Sequence, residues 1–298
     1  MQFPEGFVEK YEAILEDEAR DFLASFKQEA VSAFRVNPLK ESQLSFADAI
    51  PNTPWGYYGK VSGKSPEHAT GLVYSQEPAA QMVAQVAQPL PGMKVLDLAA
   101  APGGKSTQLA AYLANQGVLV SNEISSKRAK ILVENMERFG ATNVVVTNES
   151  ADRLAKVFKG YFDVIVLDAP CSGEGMFRKQ PEAMDYWNTD YPSQCASLQR
   201  EILEDAVTML AEGGRLVYST CTWAPEENEE IVHWLLDTYD FELLPVEHVN
   251  GMVAGINLPE TARMYPHHFK GEGQFVAHLQ FKGQNPAPKF KASKSNLS

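Results

Sequence analysis

The sequence predicts an α/β domain with a largely parallel sheet, preceded by a small α+β region. From Met93 onward, short apolar runs of strand length alternate with longer stretches of helical periodicity, which is the pattern of a parallel sheet with helices on both faces. Residues 31–75 instead contain many proline, glycine and aromatic residues, as in short strands joined by turns. We therefore divide the chain into residues 1–75, 76–282 and 283–298.

The N-terminal region opens with predicted helices. The apolar residues Phe7, Tyr11 and Leu15 recur close to helical spacing within residues 1–30, which favours a helix with one apolar face. The last segment, residues 283–298, is polar and basic and contains too little apolar surface to form a packed core. We therefore expect this segment to be a basic linker or tail.

The central region is predicted to form a doubly wound sheet of about seven strands. A helix that ends before Gly140 fits the usual C-terminal stop. Ligands of such sheets bind beyond the carboxyl ends of the strands, so the residues at those ends are candidates for function. The predicted strands cover residues 94–100, 117–123, 143–148, 162–170 and 215–222, and the predicted helices cover residues 105–116, 125–140 and 197–214.

The overall charge argues against a uniformly basic, nucleic-acid-binding surface. The chain has a formal net charge of -12, whereas phosphate contacts need lysine and arginine. The first thirty residues contain eight acidic and three basic side chains, and Glu226, Glu227, Glu229 and Glu230 form a second acidic run. Because binding responds to local charge, we expect the negative charge to lie on these segments and a basic groove to lie elsewhere.

The composition favours a cytoplasmic globular protein. Hydrophobic residues make up 44% of the 298 residues, yet no apolar run is long enough to span a bilayer, and the acidic N-terminus is unlike a secretory signal. Three cysteines do not make a disulfide framework, so we expect free thiols in a reducing compartment. His267 and His268 have no metal-ligand spacing with the cysteines. We expect a monomer that binds neither metal nor membrane.

A turn rich in small residues follows the first predicted strand, and such a turn lets the backbone approach a ligand. The alternative is a tight turn that needs glycine only for its own backbone geometry and binds no ligand. The dinucleotide motif G-x-G-x-x-G is absent. Glu123 ends the next strand, where a carboxylate can accept both ribose hydroxyls of an adenosine-containing cofactor; together the two features favour a cofactor site. Asp152 is a candidate for the adenine amine, with Ser150 or Glu149 as alternatives. The turn comprises Ala99, Ala100, Ala101, Pro102, Gly103, Gly104 and Lys105.

Two cysteines follow the ends of two predicted strands. Asp168 and Cys171 come after one strand, where a carboxylate followed by proline is well placed to hydrogen-bond a flat nucleobase, and Cys221 ends another. If these strands share a sheet, both thiols can face one crevice. The alternative for each cysteine is a buried, inert thiol, and Cys195, which lies in no such setting, keeps that interpretation.

Three motifs occur in a characteristic order: APGGK at residues 101–105, DAPCSGEGMFRK at residues 168–179 and STCTW at residues 219–223. With them the sequence resembles the Nop/Sun family of RNA cytosine-5 methyltransferases, and most closely its bacterial small-subunit ribosomal-RNA methyltransferase F type. The resemblance covers nearly the whole chain, since RVNPLK and YSQEPAAQMV precede the domain and RMYPHHFKGEGQFVAHL follows it. It implies a Rossmann-like class I methyltransferase fold.

The resemblance also implies an S-adenosylmethionine-dependent enzyme that methylates carbon 5 of cytosine in RNA, with 16S ribosomal RNA or the small ribosomal subunit as partner. Carbon 5 is a poor nucleophile, and a thiolate that adds at carbon 6 activates it. In the family, the S-T-C-T cysteine is the nucleophile, here Cys221, and the P-C cysteine assists release, here Cys171. Asp168 would hold the ring and bound cofactor, and Lys105 would orient the base or Asp168. A tRNA substrate and a non-catalytic ribosome-assembly factor are the alternatives.

Basic residues near the motifs are candidates for RNA contact. Arg178 and Lys179 could bind phosphates or could be ordinary surface charges, and the N-terminal aromatic residues could stack on RNA or fill a core. Bacterial members of this type usually continue into a further RNA-binding domain, which leaves the RNA affinity of this chain more open than its catalysis. The N-terminal candidates are Lys40, Lys60 and Lys64 with Trp55, Tyr57 and Tyr58.

Overall fold

The computed structural model describes residues 2–41 and 44–286, so most of the predicted tail at 283–298 lies outside the described residues. The helices are α1 (Phe7–Leu15), α2 (Ala19–Ser25), α3 (Pro66–Ala69), α4 (Pro78–Ala87), α5 (Gly104–Leu113), α6 (Ser126–Phe139), α7 (Ala151–Val157), α8 (Tyr191–Met209) and α9 (Glu229–Thr238). The strands are β1 (Ala33–Val36), β2 (Gly56–Tyr58), β3 (Val73–Ser75), β4 (Lys94–Asp97), β5 (Val118–Asn122), β6 (Val144–Thr147), β7 (Phe162–Asp168), β8 (Leu210–Thr220), β9 (Phe241–Leu244), β10 (Val253–Gly255), β11 (Leu258–Met264) and β12 (Gln274–Phe281).

The central sheet confirms the predicted α/β fold with a mostly parallel core. Strands β6, β5, β4, β7 and β8 lie side by side in this order and are parallel. Strand β12 runs antiparallel to β8 and pairs on its other side with β9 and β11. Strands β4 to β8 correspond to the five strands located in the sequence, and within the described residues the sheet has nine strands where about seven were expected.

Helices cover both faces of this sheet, which explains the continuous apolar runs of its strands. On one face, residues of α4, α5 and α6 pack against alternate side chains of the parallel strands. On the other face, α7, α8 and α9 do the same. The polar side chains at the strand ends are therefore brought to one open edge, between the two helical layers.

The N-terminal region contains two differently packed parts. Strands β2, β1 and β3 form a separate three-stranded antiparallel sheet. Helices α1 and α2 instead pack through aromatic residues against loops of the large domain, where Phe22 contacts Trp223 edge-on with ring centroids 4.9 Å apart. The division of the chain at residue 75 therefore remains a prediction, because α1 and α2 share a hydrophobic core with residues far beyond it.

The junction between α8 and β8 differs from the prediction. A helix was expected over residues 197–214, but α8 runs from Tyr191 to Met209 and the strand starts at Leu210. Pro192 suits the first turn of the helix. Gly213 and Gly214 serve the strand, because the register of β8 against β7 shifts there and a Cβ on Gly214 would lie 2.9 Å from the Phe162 carbonyl oxygen.

Within the described residues, none of the helices combines the length and the apolar character that a bilayer crossing requires.

Candidate active site

The two cysteines predicted to share a crevice lie in contact. Strands β7 and β8 are parallel neighbours, with Asp168 opposite Ser219, so the loops that follow them leave the same edge of the sheet. Cys171 Sγ and Cys221 Sγ lie 3.2 Å apart. The hydrogen bond to Cys221, burial and the negative charge of an ionised Cys221 raise the pKa of the Cys171 thiol well above its ordinary value. The contact between the two thiols therefore favours a pair in which Cys171 keeps its proton.

A lysine–carboxylate pair stands beside the thiols. Lys105 Nζ lies 2.6 Å from Asp168 Oδ2, and the other carboxylate oxygen accepts hydrogen bonds from Ser219 Oγ at 2.7 Å and Gln274 Nε2 at 2.9 Å. Burial alone would lower the pKa of Lys105, but the charges of Asp168, Asp97 and an ionised Cys221 raise it above its ordinary value. Lys105 therefore stays protonated as a fixed positive charge at the edge of the sheet.

Two cavities meet at these residues. The first, of about 300 Å³, extends along the ends of β4 and β5 and reaches Glu123. The second, of about 390 Å³, opens towards the N-terminal sheet and is lined by Lys105, Lys179 and Gln274 among others. Both cavities have Asp168 and Cys221 in their walls. A ligand in one cavity and a second ligand in the other would therefore meet at the thiol of Cys221.

The predicted cofactor turn forms the floor between the cavities. Ala99 and Ala101 line both, and Ala100, Pro102 and Gly104 line the second. Gly103, which lines neither, adopts a φ of 119°, a conformation that favours glycine, so its role is to form the turn.

Glu123 lies at the carboxyl end of β5, as the sequence predicts, and is 2% exposed. Its Oε1 accepts a hydrogen bond from the backbone N–H of Ser125 at 2.9 Å, and its Oε2 lies 3.5 Å from Arg128 Nη1. The carboxylate is thus held at the wall of the first cavity by its own turn. Asn122 lines the same cavity and was not singled out from the sequence.

Asp152 does not line either cavity. Its exposed side chain pairs with Lys156 Nζ at 2.9 Å and accepts a hydrogen bond from Ser150. The cavity wall is formed instead by its neighbours Glu149 and Ala151. The structure thus favours Glu149, which the sequence left open as an alternative, for a polar contact at this position.

Most of the basic and aromatic candidates for RNA contact make contacts within the protein, and one of them lines a cavity. Arg178 is not available to a phosphate, because its guanidinium forms a buried ion pair with Glu272 at 3.0 Å, whereas Lys179 lines the second cavity. Lys40 donates to the Thr70 and Arg138 carbonyl oxygens. The aromatic residues pack within the protein: Trp55 contacts Tyr112, Tyr57 contacts Phe34 and Phe46, and Tyr58 lies under the ammonium of Lys270.

The structure also places the acidic run after Cys221 and the adjacent pair His267 and His268. The acidic run after Cys221 is only partly a surface charge, since Glu227 and Glu229 are buried and Glu229 pairs with Arg263. His267 and His268 lie away from the cysteines, and both rings hydrogen-bond the carboxylate of Glu18 through Nε2.

Asp97, at the end of β4, is a buried carboxyl group that the sequence did not single out. Ser106 Oγ donates to its Oδ2 at 2.7 Å, and its Oδ1 has no hydrogen-bond partner within the described part of the chain. Burial raises the pKa of this carboxyl from an ordinary 3.8 to about 7. The folded protein therefore holds a proton here that the unfolded chain releases above about pH 4.

We expect Asp97 to make the protein less stable as pH rises from about 4 to 7, by up to about 4 kcal/mol for a shift of about three pKa units. Asp97→Asn should therefore increase the free energy of unfolding relative to wild type at pH 8 much more than at pH 5. Urea unfolding at the two pH values measures this. The exposed Asp185→Asn serves as control, and an Asp97→Asn effect equal at both pH values would contradict the assignment.

Comparisons with known proteins identify the family of this chain. Residues 84–280 match the family described as 16S rRNA methyltransferase RsmB/F, and residues 3–78 match the N-terminal domain of 16S rRNA methyltransferase RsmF. The chain belongs to the RsmB/F family. The ribosomal RNA small subunit methyltransferase F of Serratia proteamaculans (strain 568) is 36% identical over 93% of this chain and 63% of the relative. That of Klebsiella pneumoniae (strain 342) is 35% identical over 98% of this chain and 67% of the relative.

Solved structures show the same fold as this RsmB/F member. A methyltransferase homolog protein from Pyrococcus horikoshii matches with a TM-score of 0.79 and 32% identity, over 92% of this chain and 93% of the other. NSun6 from the same organism, solved with SFG, matches with a TM-score of 0.85 and 22% identity, over 95% and 99%; at that identity the likeness concerns the fold alone. The predicted class I methyltransferase fold is confirmed. The chain spans less than two thirds of the length of the Serratia relative.

Proposed function

We propose that this chain is an S-adenosylmethionine-dependent RNA cytosine-5 methyltransferase, that its substrate is 16S ribosomal RNA, and that it acts in the cytoplasm through a covalent Cys221 adduct. The observation that carries the proposal is the meeting of two cavities at Cys221 and Asp168, with the second thiol in contact. Membership of the RsmB/F family supports the substrate class, and the methyltransferase F names of relatives support the small-subunit target.

The residues around the first cavity fit S-adenosylmethionine. A buried carboxylate, Glu123, is held at the cavity wall where ribose hydroxyls can donate to it, and Ala99 and Ala101 allow close backbone approach. Leu98 and Ile124 provide apolar walls for a flat adenine, and Glu149 provides a polar acceptor at the same wall. When bound, this cofactor supplies the electrophilic methyl group that carbon 5 of the cytosine accepts.

The second cavity suits a cytosine that has been turned out of its stack, as enzymes that modify bases require. Within it, Cys221 can ionise beside the positive charge of Lys105, and its sulfur forms a bond to carbon 6 of the ring. The electron pair of the ring double bond then moves towards carbon 5, which becomes nucleophilic.

Asp168 is held in one orientation for the base by three donors. Because Lys105, Ser219 and Gln274 fix its two oxygens, the carboxylate can accept a hydrogen bond from the amino group of the cytosine, and from nitrogen 3 once that atom is protonated, without reorganisation. Fixed groups of this kind stabilise the charge that develops when the thiolate adds.

Cys171 is placed for the release step. While Cys221 carries a negative charge, the pKa of the Cys171 thiol stays raised. Once the Cys221 sulfur is bonded to carbon 6, it no longer bears that charge, so Cys171 can give its own proton to solvent water, and the resulting thiolate takes the proton from carbon 5. The electron pair of the broken C–H bond reforms the ring double bond and expels the Cys221 thiolate.

The proposal is tested by transfer of labelled methyl groups from S-adenosylmethionine to three unmodified RNAs: small ribosomal subunits, free 16S ribosomal RNA and tRNA. We expect label on carbon 5 of cytosine in 16S RNA, identified by nucleoside mass spectrometry. Label confined to tRNA would replace the substrate, and label on another atom would overturn the chemistry. RNA binding without transfer to any of the three would point to an assembly factor.

A further inference from the structure

Glu227, six residues beyond Cys221, reaches across to the loop of Cys171. Its side chain is fully buried, and its Oε2 accepts hydrogen bonds from the backbone N–H of Ser172 at 2.9 Å and from Gln199 Nε2 at 2.8 Å. Gln199 also donates to the Pro170 carbonyl oxygen at 3.0 Å. The residues on both sides of Cys171 are therefore held by one carboxylate and the amide bonded to it.

Glu174, three residues beyond Cys171, reaches in the opposite direction to the loop of Cys221. It is also fully buried, and its Oε2 accepts hydrogen bonds from Thr222 Oγ1 at 2.7 Å and from the Trp223 backbone N–H at 3.3 Å. The phenol of Tyr11 and the indole N–H of Trp187 also donate to this carboxylate, and Lys10 Nζ lies 3.7 Å from its Oε1. The residues that follow Cys221 are thus held by a carboxylate from the other loop.

Direct contacts join the two loops as well. Ser172 Oγ and Thr222 Oγ1 lie 2.9 Å apart, and the Gly175 N–H donates to the Cys221 carbonyl oxygen at 2.9 Å. A Cβ on Gly175 would lie 2.8 Å from that oxygen, so the close approach needs glycine. Each loop is therefore tied to the other immediately beside its thiol.

We propose that Glu174 and Glu227 are positioning residues that form a reciprocal clamp, in which each carboxylate comes from the loop of one cysteine and binds the backbone or side chain next to the other. The clamp holds the two sulfur atoms in contact while neither carboxylate touches the base. It rests on the proposed function for its purpose, since a nucleophile and a release group must act on the two neighbouring carbons of one bond without loop movement. Its geometry stands independently of that function.

The chemistry of Glu227 suits a positioning residue. Both of its bonds are made to Oε2, and its Oε1 has no partner among the described residues. Burial, the largest cause, raises the pKa of this carboxyl to about 7. A proton on Oε1 would break neither bond, so the clamp persists whether or not the carboxyl is ionised. An amide, which also offers one carbonyl oxygen, can make the same two contacts.

The proximity of the two sulfurs can be measured without RNA or cofactor. The full chain is equilibrated with mixtures of reduced and oxidised glutathione, quenched with N-ethylmaleimide and analysed by mass spectrometry for a Cys171–Cys221 disulfide. Two thiols lose two electrons and two protons, and one oxidised glutathione becomes two reduced molecules. We expect Glu227→Ala to lower the equilibrium constant for the disulfide by about ten- to a hundredfold, which corresponds to loss of hydrogen bonds to a charged group.

The variants separate positioning from general stability. Glu227→Gln should stay within about threefold of wild type because its carbonyl oxygen replaces Oε2, and the exposed Glu230→Gln should match wild type. Thr222→Val, of nearly equal volume, removes the hydroxyl bonded to Glu174 and should lower the constant in the same direction if Glu227→Ala does not fold.

The outcomes decide between the alternatives. Folded Glu227→Ala and Thr222→Val proteins that both keep the wild-type constant would overturn the clamp. Equal loss in Glu227→Ala and Glu227→Gln would overturn its hydrogen-bond basis. In methyl transfer, the clamp predicts a lower kcat with unchanged KM for RNA, rescued by Glu227→Gln. A wild-type protein with no transferase activity would refute the proposed function but leave the disulfide result standing.

Discussion

Replacement of Cys221 by alanine is expected to lower methyl transfer by at least about 10⁴-fold, the scale on which loss of a covalent nucleophile acts. The sulfur that bonds to carbon 6 is then missing, and Cys171 cannot replace it, because Cys171 lines only the first cavity and not the second one, in which the base is proposed to bind. Lys105 and Asp168 stay in place to bind the base. Single-turnover transfer of labelled methyl to 16S ribosomal RNA measures the loss.

The matched control is Cys195→Ala. Cys195 is a buried cysteine on α8, and burial raises its thiol pKa to about 12, so we expect full activity from this variant. RNA affinity measured by filter binding should be equal for the two variants and wild type. A Cys221→Ala protein that retains activity close to the control would refute the covalent mechanism.

Cys171→Ala is expected to leave a stable covalent complex between protein and RNA. The Cys221 thiolate remains able to add to carbon 6, but the group in contact with it that can take the carbon 5 proton is lost. Loss of a general base slows its step by about 10²- to 10⁴-fold, so the methylated adduct should accumulate. Denaturing gel electrophoresis of labelled RNA detects the complex as a band of reduced mobility.

The double variant Cys171→Ala/Cys221→Ala provides the control for this result. It should give no complex, because the bond to carbon 6 requires the Cys221 sulfur. Turnover by Cys171→Ala at the wild-type rate, without a retarded band, would show that another group performs the release. A complex that persists in the double variant would show attachment through a different residue.

The placement of both thiols at one site could be predicted from the sequence because parallel strands align their carboxyl ends. Apolar runs identified β7 and β8, and the residues after each run were therefore candidates for one edge. Glu123 was predictable by the same rule, since it directly follows β5. Ser219 could have been found in this way too, because residues two apart on a strand share a face, and Cys221 marks that face.

Long-range packing could not be predicted in the same way. Arg178 lies near the end of the DAPCSGEGMFRK motif, where the local sequence is typical of a surface charge, but its ion pair with Glu272 depends on a contact between distant segments. Likewise, Glu227 sits in an acidic run that local sequence describes as solvent-exposed, while the fold buries it against Ser172. Gln274 comes from the last strand, and only the antiparallel pairing of β12 with β8 brings it to Asp168.

The aromatic packing of α1 and α2 has a consequence for how the chain becomes competent as it leaves the ribosome. Tyr11 meets Glu174 at a sequence separation of 163 residues, and Phe22 packs against Trp223 and Tyr265, so these helices depend on partners that are synthesised much later than they are. Non-local contacts of this kind form late and slowly. A nascent chain that has not yet reached Tyr265 therefore lacks contacts that support the loops of Cys171 and Cys221.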